Sequence, residues 1–323
     1  MRRALITGIG GMDGSHLADL LLEKGYEVFG LVRRSARPPS PNLDYCKDRI
    51  TLLHGDLCDE SSLHRAVAEC EPHEVYNLAA QSFVGASWEL PLITADITGL
   101  GVGRMLEAVR THAPDARFYQ ASSSEMFGDT DGFLDEQSHF KPRSPYGVAK
   151  AFGHNLAVNY RESHGMHVSC GILFNHESER RGLEFVTRKI THRVAEIKLG
   201  LADCLSLGAL TPQRDWGYAP DYVQAMWLML QRDEPDDYVI ATGECHSVQE
   251  FAEEAFGDWD WAKYTTTSDA LRRPAEIAVL RGDSSKALSE LGWKPTVEFE
   301  EIVARMVEHD LALCGDGRLK ACV

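Results

Sequence analysis

The chain has 323 residues, of which 44% are hydrophobic and 25% charged, and its formal net charge is −16. That length fits one large domain or two interleaved ones, and that charge argues against nucleic acid and anionic membranes as partners. No apolar run reaches the length of a membrane span, and Met1-Arg2-Arg3 leads into a strand-like run where a secretory signal would be apolar, so a cytoplasmic protein is expected. Eight cysteines without Cys-x-x-Cys spacing read as reduced thiols, and thirteen histidines without ligand spacing to them predict no metal site.

Residues 3–7 read as a first strand, and Gly8-Ile9-Gly10-Gly11-Met12-Asp13-Gly14 as a turn into a helix from Ser15 to Lys24 that Gly25 stops. Strand, glycine-rich turn and helix form the setting of a dinucleotide-binding loop. Glycines at 8, 11 and 14 let the backbone approach a diphosphate, with Met12 and Asp13 in the same loop. Residues 26–32 read as the second strand. An acidic residue at its end would bind a ribose 2′-hydroxyl; Arg33-Arg34 stands there instead and suits a 2′-phosphate, so NADP is the expected cofactor.

The alternation continues with a strand at Ile50–His54, a helix to about Glu69, a strand at Val75–Ala80, a helix at about Thr98–Thr111 and a strand at Arg117–Ser122. A helix from Tyr146 to His164 and a strand at His167–Leu173 complete it. This pattern predicts an α/β fold with a doubly wound parallel Rossmann sheet, in which ligands bind at the carboxyl ends of the strands. Asp56, Leu57, Ala79, Ala80, Gln81 and Ser82 fall at such ends.

The second half reads as a helix at Glu184–Leu199, a short strand at Leu205–Gly208, a loop at Gln213–Gly217, a helix at Asp221–Gln231 and a strand at Tyr238–Ala241. A helix near Val248–Ala255, an irregular stretch to Ala270 and a last helix around Phe299–Leu313 follow. The expected division is 1–173 for cofactor, with segments returning around 212–245, and 174–323 as a smaller α/β substrate domain.

Tyr146 and Lys150 lie one helical turn apart on one face. A tyrosine with a pKa near 10 is a poor base at pH 7, and an adjacent ammonium favours its phenolate, so Tyr146 is a candidate proton acceptor from an alcohol that loses hydride. Basic residues gather at Arg33, Arg34 and Arg37, at Arg180 and Arg181, at Arg188, Lys189 and Arg193, and at Arg272 and Arg273. In an acidic protein such clusters point to small, highly charged anions or to salt bridges.

Several segments together carry a resemblance over nearly the whole chain. Among them are Tyr76-Asn77-Leu78-Ala79-Ala80-Gln81-Ser82, Arg143-Ser144-Pro145-Tyr146-Gly147-Val148-Ala149-Lys150, Phe174-Asn175-His176-Glu177-Ser178, Phe185-Val186-Thr187-Arg188-Lys189-Ile190 and Arg214-Asp215-Trp216-Gly217. The chain resembles the extended short-chain dehydrogenase/reductases, and within them the GDP-mannose 4,6-dehydratases. That resemblance implies that Tyr146, helped by Lys150 and Ser123, takes the C4 hydroxyl proton of a nucleotide-linked hexose while hydride leaves C4 for NADP. Glu125 then removes the C5 proton, water leaves C6, and the hydride returns to C6. Ser82, Ser87 and Asn175 would lie near the sugar, and Val186, Lys189, Arg214, Arg273 and Glu276 would hold the nucleotide. A homodimer or homotetramer is implied as well.

Glu125 is the discriminating residue, because an epimerase of this fold needs only oxidation and reversal at C4. Ser123, Phe83, Glu179, Ala209 and Tyr218 depart from the residues usual in the family, as does a short segment between Phe256 and Arg273. They leave open a different nucleotide sugar, with an epimerase as the other alternative.

Overall fold

The computed structural model describes residues 1–36, 40–130 and 132–315. Arg37 of the first basic cluster and Cys322 lie outside them. The chain opens with β1 (Arg3–Thr7), α1 (Met12–Glu23), β2 (Glu27–Val32), β3 (Ile50–His54), α2 (Glu60–Cys70) and β4 (Glu74–Asn77). There follow α3 (Val84–Glu89), α4 (Pro91–Ala95), a π-helical lead-in at Asp96–Leu100, α5 (Gly101–His112), β5 (Arg117–Ser123), α6 (Pro145–His164) and β6 (Val168–Leu173).

The second half holds β7 (Asn175–Glu177), α7 (Val186–Lys198), β8 (Leu205–Leu207), β9 (Gln213–Arg214), β10 (Trp216–Tyr218), α8 (Ala219–Met229) and β11 (Asp237–Ile240). It continues with β12 (His246–Ser247), α9 (Val248–Phe256), α10 (Trp261–Tyr264), β13 (Thr265–Thr267), β14 (Val279–Leu280), α11 (Ser285–Leu291) and α12 (Phe299–Gly315).

Seven strands form one parallel sheet in the order β11-β6-β5-β4-β1-β2-β3. Both faces are covered, so the inner strands are largely buried, while the edge strand β3 leaves Thr51 and His54 exposed. In β1, Ala4 and Ile6 pack with Leu17 and Leu21 of α1 and Val223 and Met226 of α8. Leu5 points the other way, into Val67, Met105, Val109 and Ala157 of α2, α5 and α6. The expected doubly wound sheet is therefore present. A separate core of Ile190, Val194, Trp216, Phe251, Phe299 and Met306 joins α7, α9 and α12.

Several boundaries differ from the sequence reading. Helix α1 starts at Met12, three residues before Ser15. Strand β4 stops at Asn77 and does not reach Ala80, because the amides of Leu78 and Ala79 both turn to Thr7 Oγ1, each at 3.0 Å. Gln213–Gly217, expected as a loop, contains two short strands: β9 pairs with β12 and β14, and β10 pairs with β7. The stretch before Ala270 includes α10 and β13, the latter pairing with β8.

Candidate active site

The strand order reverses between β1 and β4, the switch point where this kind of sheet binds ligands. The glycine loop fills the carboxyl end of β1, with Gly11 N–H donating to the Gly8 carbonyl at 2.9 Å. A Cβ on Gly14 would lie 2.3 Å from the Gly8 oxygen, so only glycine lets α1 sit this close to the loop. The N-terminus of α1 carries no side-chain cap. Its first amides are thus of the kind that receives an anion.

At the end of β5, Ser123 Oγ accepts from the Glu125 amide at 3.3 Å and starts a tight turn over Ser124–Met126. Ser144 caps α6 by accepting from Gly147 N–H at 3.0 Å, and Pro145 opens the helix. A Cβ on Gly147 would meet the Glu125 carbonyl at 2.6 Å, so the first turn of α6 packs directly on the Glu125 turn. This brings Ser123, Glu125, Tyr146 and Lys150 to one cleft of about 320 Å³. Glu125 is only 9% exposed.

The electrostatics of this cluster correct the expectation for Tyr146. In the protein alone its pKa is raised, chiefly by burial; the Ser123 hydrogen bond works against that rise and the Glu125 charge adds to it. Lys150 is itself pushed down to about 8 by burial, with Asp13 partly opposing. Its ammonium donates to the Ala121 carbonyl at 2.7 Å and lies 5.7 Å from the Tyr146 ring centre. Lys150 still carries its charge at pH 7, but burial of the phenol is the larger effect on Tyr146.

Gly8, Gly11, Asp13, Gly14 and Ala80 line the same cleft. Met12 is buried within α1, Leu57 is buried with its carbonyl accepting from Arg104, and Ala79 is tied to Thr7. Asp56 accepts from the Cys58 amide at 2.9 Å beyond β3. Arg33 and Arg34 stand exposed just past β2, and none of Arg33, Arg34, Asp56, Leu57 and Ala79 lines the cleft.

Toward the second half of the chain, Ser82, Asn175, Val186, Arg214, Arg273 and Glu276 line the cleft, whereas Ser87 and Lys189 do not. Ser87 is fully buried and donates to the Val84 carbonyl at 2.7 Å. Arg214 is nearly buried and donates to the carbonyls of Gln213 and Ile277 at 2.8 and 2.9 Å and to Glu276 at 3.0 Å. Arg273 reaches Glu125 at 3.5 Å and Glu276 at 3.7 Å. A chain of charges, Glu125–Arg273–Glu276–Arg214, thus runs from the candidate acid–base group into the substrate side. Of the other basic clusters, Arg180 pairs with Asp19, Arg193 with Glu196 and Arg272 with Asp269.

Among the lining residues not singled out as site residues in the sequence are His176 and Arg181. His176 Nε2 lies 3.0 Å from both Asp13 oxygens, and its Nδ1 lies 2.7 Å from the Phe174 carbonyl. Burial works to lower the His176 pKa, but the Asp13 charge and hydrogen bond and the Phe174 carbonyl outweigh it and raise the value. Asp13 is lowered correspondingly: its burial works upward and the His176 charge overcomes it. Arg181 lies 3.1 Å from Glu177 and stacks on Phe185, 3.8 Å from the ring centre. The signal available in the sequence was position: both follow β6, the strand next to the one that ends in Ser123.

This fold and this cluster define a short-chain dehydrogenase/reductase of the extended, nucleotide-sugar-modifying class, with a site for a nicotinamide dinucleotide. Among solved structures, a UDP-glucose 4-epimerase from Thermus thermophilus in complex with NAD matches with TM-score 0.84 and 28% identity, over 95% of this chain and 98% of that one. A dTDP-glucose 4,6-dehydratase from Streptomyces venezuelae matches at TM-score 0.87 and 24% identity, over 97% and 98% of the two chains, and supports the fold. The family model for GDP-mannose 4,6 dehydratase matches residues 5–306. GDP-mannose 4,6 dehydratase 1 of Arabidopsis thaliana is 50% identical over 96% of this chain and 90% of its own length, and the Homo sapiens GDP-mannose 4,6 dehydratase is 46% identical over 96% and 91%. The chain belongs to the GDP-mannose 4,6-dehydratase family.

Proposed function

We propose that this protein is a lyase that converts GDP-mannose to its 4-keto-6-deoxy form, with NADP as a cofactor regenerated in each turnover. The observation that carries the reading is the position of Glu125. Its carboxyl group shares a cleft with Tyr146, Ser123 and Lys150, and an epimerase needs no such second acid–base group.

Tyr146 takes the C4 hydroxyl proton, with Ser123 hydrogen-bonded to it and Lys150 beside it; the positive charge of an oxidised nicotinamide, when bound, would join Lys150 in opposing the rise that burial imposes on the phenol. Glu125 takes the proton made acidic by the 4-keto group at C5 and gives it to the departing C6 hydroxyl, so one carboxyl serves both steps; C5 regains a proton from water when hydride is added at C6. Arg273 and Arg214 hold the diphosphate and Glu276 the ribose. Binding at these remote groups helps fix C4 in register.

The residues present fit a dinucleotide: the Gly8–Gly14 loop, the uncapped start of α1 and the close approach at Gly14 would cradle its diphosphate. Arg33 and Arg34, with no carboxylate at the end of β2, favour a 2′-phosphate and hence NADP. Bound there, the nicotinamide supplies the acceptor for the C4 hydride and its donor to C6. His176 and Asp13 keep the loop and the end of β6 tied together on that side.

The same reading divides the chain into a cofactor half, 1–173 with α8 and β11 returning to it, and a nucleotide-sugar half, 174–323. Leu92, Ile93, Leu100, Val148 and Phe152 are exposed on α4, the π segment and α6, which pack side by side. That patch supports self-association as a homodimer or homotetramer. Seven free cysteines among the described residues support a reducing, cytoplasmic setting.

The test is mass spectrometry of the purified protein incubated with GDP-mannose and NADP. A product lighter by one water, without net reduced cofactor, is expected. An unchanged substrate would count against this sugar, and a product of equal mass would favour epimerisation.

A further inference from the structure

Arg188 belongs to a basic cluster that pointed to an anionic ligand or a salt bridge, yet it is only 6% exposed and does not line the cleft. Its donors are directed at the protein. Nε lies 2.9 Å from both oxygens of Asp310, Nη2 lies 2.7 Å from Asp310 Oδ1, and Nη1 donates to the carbonyls of Glu179 and Arg181, the latter at 3.0 Å. Asp310 is fully buried on α12 and also accepts from Thr191 Oγ1 at 2.7 Å. A planar fork with two directions of hydrogen bonding is a rigid connector, which a lysine would not be.

What it connects is the turn Ser178–Arg181. That turn closes on itself, Arg181 N–H donating to the Ser178 carbonyl at 3.0 Å. From the other side it is held by α1 and the segment before β3. His16 Nε2 lies 2.9 Å from Ser178 Oγ, Arg180 pairs with Asp19 at 2.7 Å, and Asn42 donates to the Arg180 carbonyl at 3.1 Å. The side chain that leaves this turn for the cleft is Arg181, beside Asp13, His176 and Tyr146.

We propose that Asp310 and Arg188 are positioning residues for Arg181. Fixed between α12 and α7, the pair sets the backbone of the Ser178–Arg181 turn and so aims the Arg181 guanidinium into the cleft, where it binds an anionic group of the cofactor. The inference rests on reading the Arg181 side of the cleft as the cofactor's. Helix α12 thus acts on the cofactor site without touching it.

The test is a double-substitution cycle read as NADP affinity of the intact protein without substrate, by titration calorimetry, with thermal unfolding recorded for each variant. Asp310→Asn should raise the NADP dissociation constant about tenfold to a hundredfold, the scale of loss that follows from misplacing a binding group by an ångström or so. Arg181→Ala should raise it as well, and the double variant should bind no worse than Arg181→Ala alone. A loss of stability by itself would not produce that non-additivity. Asp310→Asn binding as the wild type does, or effects that add, would overturn the proposal.

If Asp310→Asn does not fold, Arg188→Lys keeps the charge opposite Asp310 and loses the reach to both carbonyls. It should show the same non-additive loss, and unchanged affinity would overturn the proposal. Failure of the wild-type protein to bind NADP, or an Arg181→Ala variant that binds it normally, would instead overturn the cofactor reading of this side of the cleft and the inference with it.

Discussion

Replacing Glu125 by glutamine separates the two halves of the proposed reaction. The amide keeps the size of the side chain and can still face Arg273, which lies 3.5 Å from the carboxylate and has a side chain one-third exposed. Arg273 keeps its second partner, Glu276, at 3.7 Å and its access to water, so no charge is left buried without a partner and the variant should still fold. Its chemical effect should be far larger. Glutamine neither takes a proton from C5 nor gives one at C6, and general acid–base groups are each worth about 10²–10⁴-fold, or about 3–5 kcal/mol of barrier.

Tyr146, Ser123 and Lys150 remain in place, so oxidation at C4 should survive. Mixing Glu125→Gln with GDP-mannose and NADP should therefore produce a burst of reduced-nicotinamide absorbance and a 4-keto sugar that retains its C6 hydroxyl. Dehydration should fall by at least about a hundredfold. A variant that dehydrates at close to the wild-type rate, or that loses C4 oxidation and dehydration equally, would refute the assignment of the second step to Glu125.

Three further outcomes follow from the geometry. Arg33→Ala with Arg34→Ala should weaken NADP by about tenfold or more while leaving NAD nearly unchanged, measured as dissociation constants; equal loss for both cofactors contradicts a 2′-phosphate role. Gly14→Ala would set a methyl group 2.3 Å from the Gly8 carbonyl, so it should cost about 1–3 kcal/mol of stability and abolish tight dinucleotide binding; a variant that binds as before would show that the loop has room. The third concerns pH. His176 is raised in the folded protein, so its stabilising pairing with Asp13 is fully present below the unfolded histidine pKa and is lost as pH rises through the raised value, whereas lowered Asp13 keeps its charge until well into acid. Thermal stability of the cofactor-free protein should then decline as pH rises above the ordinary histidine range, and His176→Asn should flatten that decline; an unchanged slope would place the dependence elsewhere.

The sheet was legible because short strand-like runs, most of them buried on both faces as β1 and β6 are, alternate with helical ones. Ile50–His54 and Arg3–Thr7 have in the structure the bounds read from sequence. Elements built from distant pairings were not legible: β9 and β10 are two and three residues long, too short for any period, and exist only because β14, β12 and β7 supply partners.

The same limit applies to the site. Ser123, Glu125, Tyr146 and Lys150 stand at a strand end and on a helical face, so their convergence could be read. His176 depends on Asp13, 163 residues away, and Arg188 on Asp310, 122 residues away. A basic cluster in sequence does not reveal which arginine meets a ligand and which meets a buried carboxylate. Nor could the local pair of Tyr146 and Lys150 reveal that burial would raise the phenol and depress the amine, because burial is decided by the whole fold.

The measurement that bears most directly on the reaction is the fate of the hydrogen at C4. With GDP-mannose deuterated at C4 and unlabelled NADP, the expected product is lighter by one water and carries the deuterium at C6. A product that keeps its deuterium at C4 and has lost no water would contradict a 4,6-dehydratase and indicate an enzyme that only oxidises and re-reduces the same carbon.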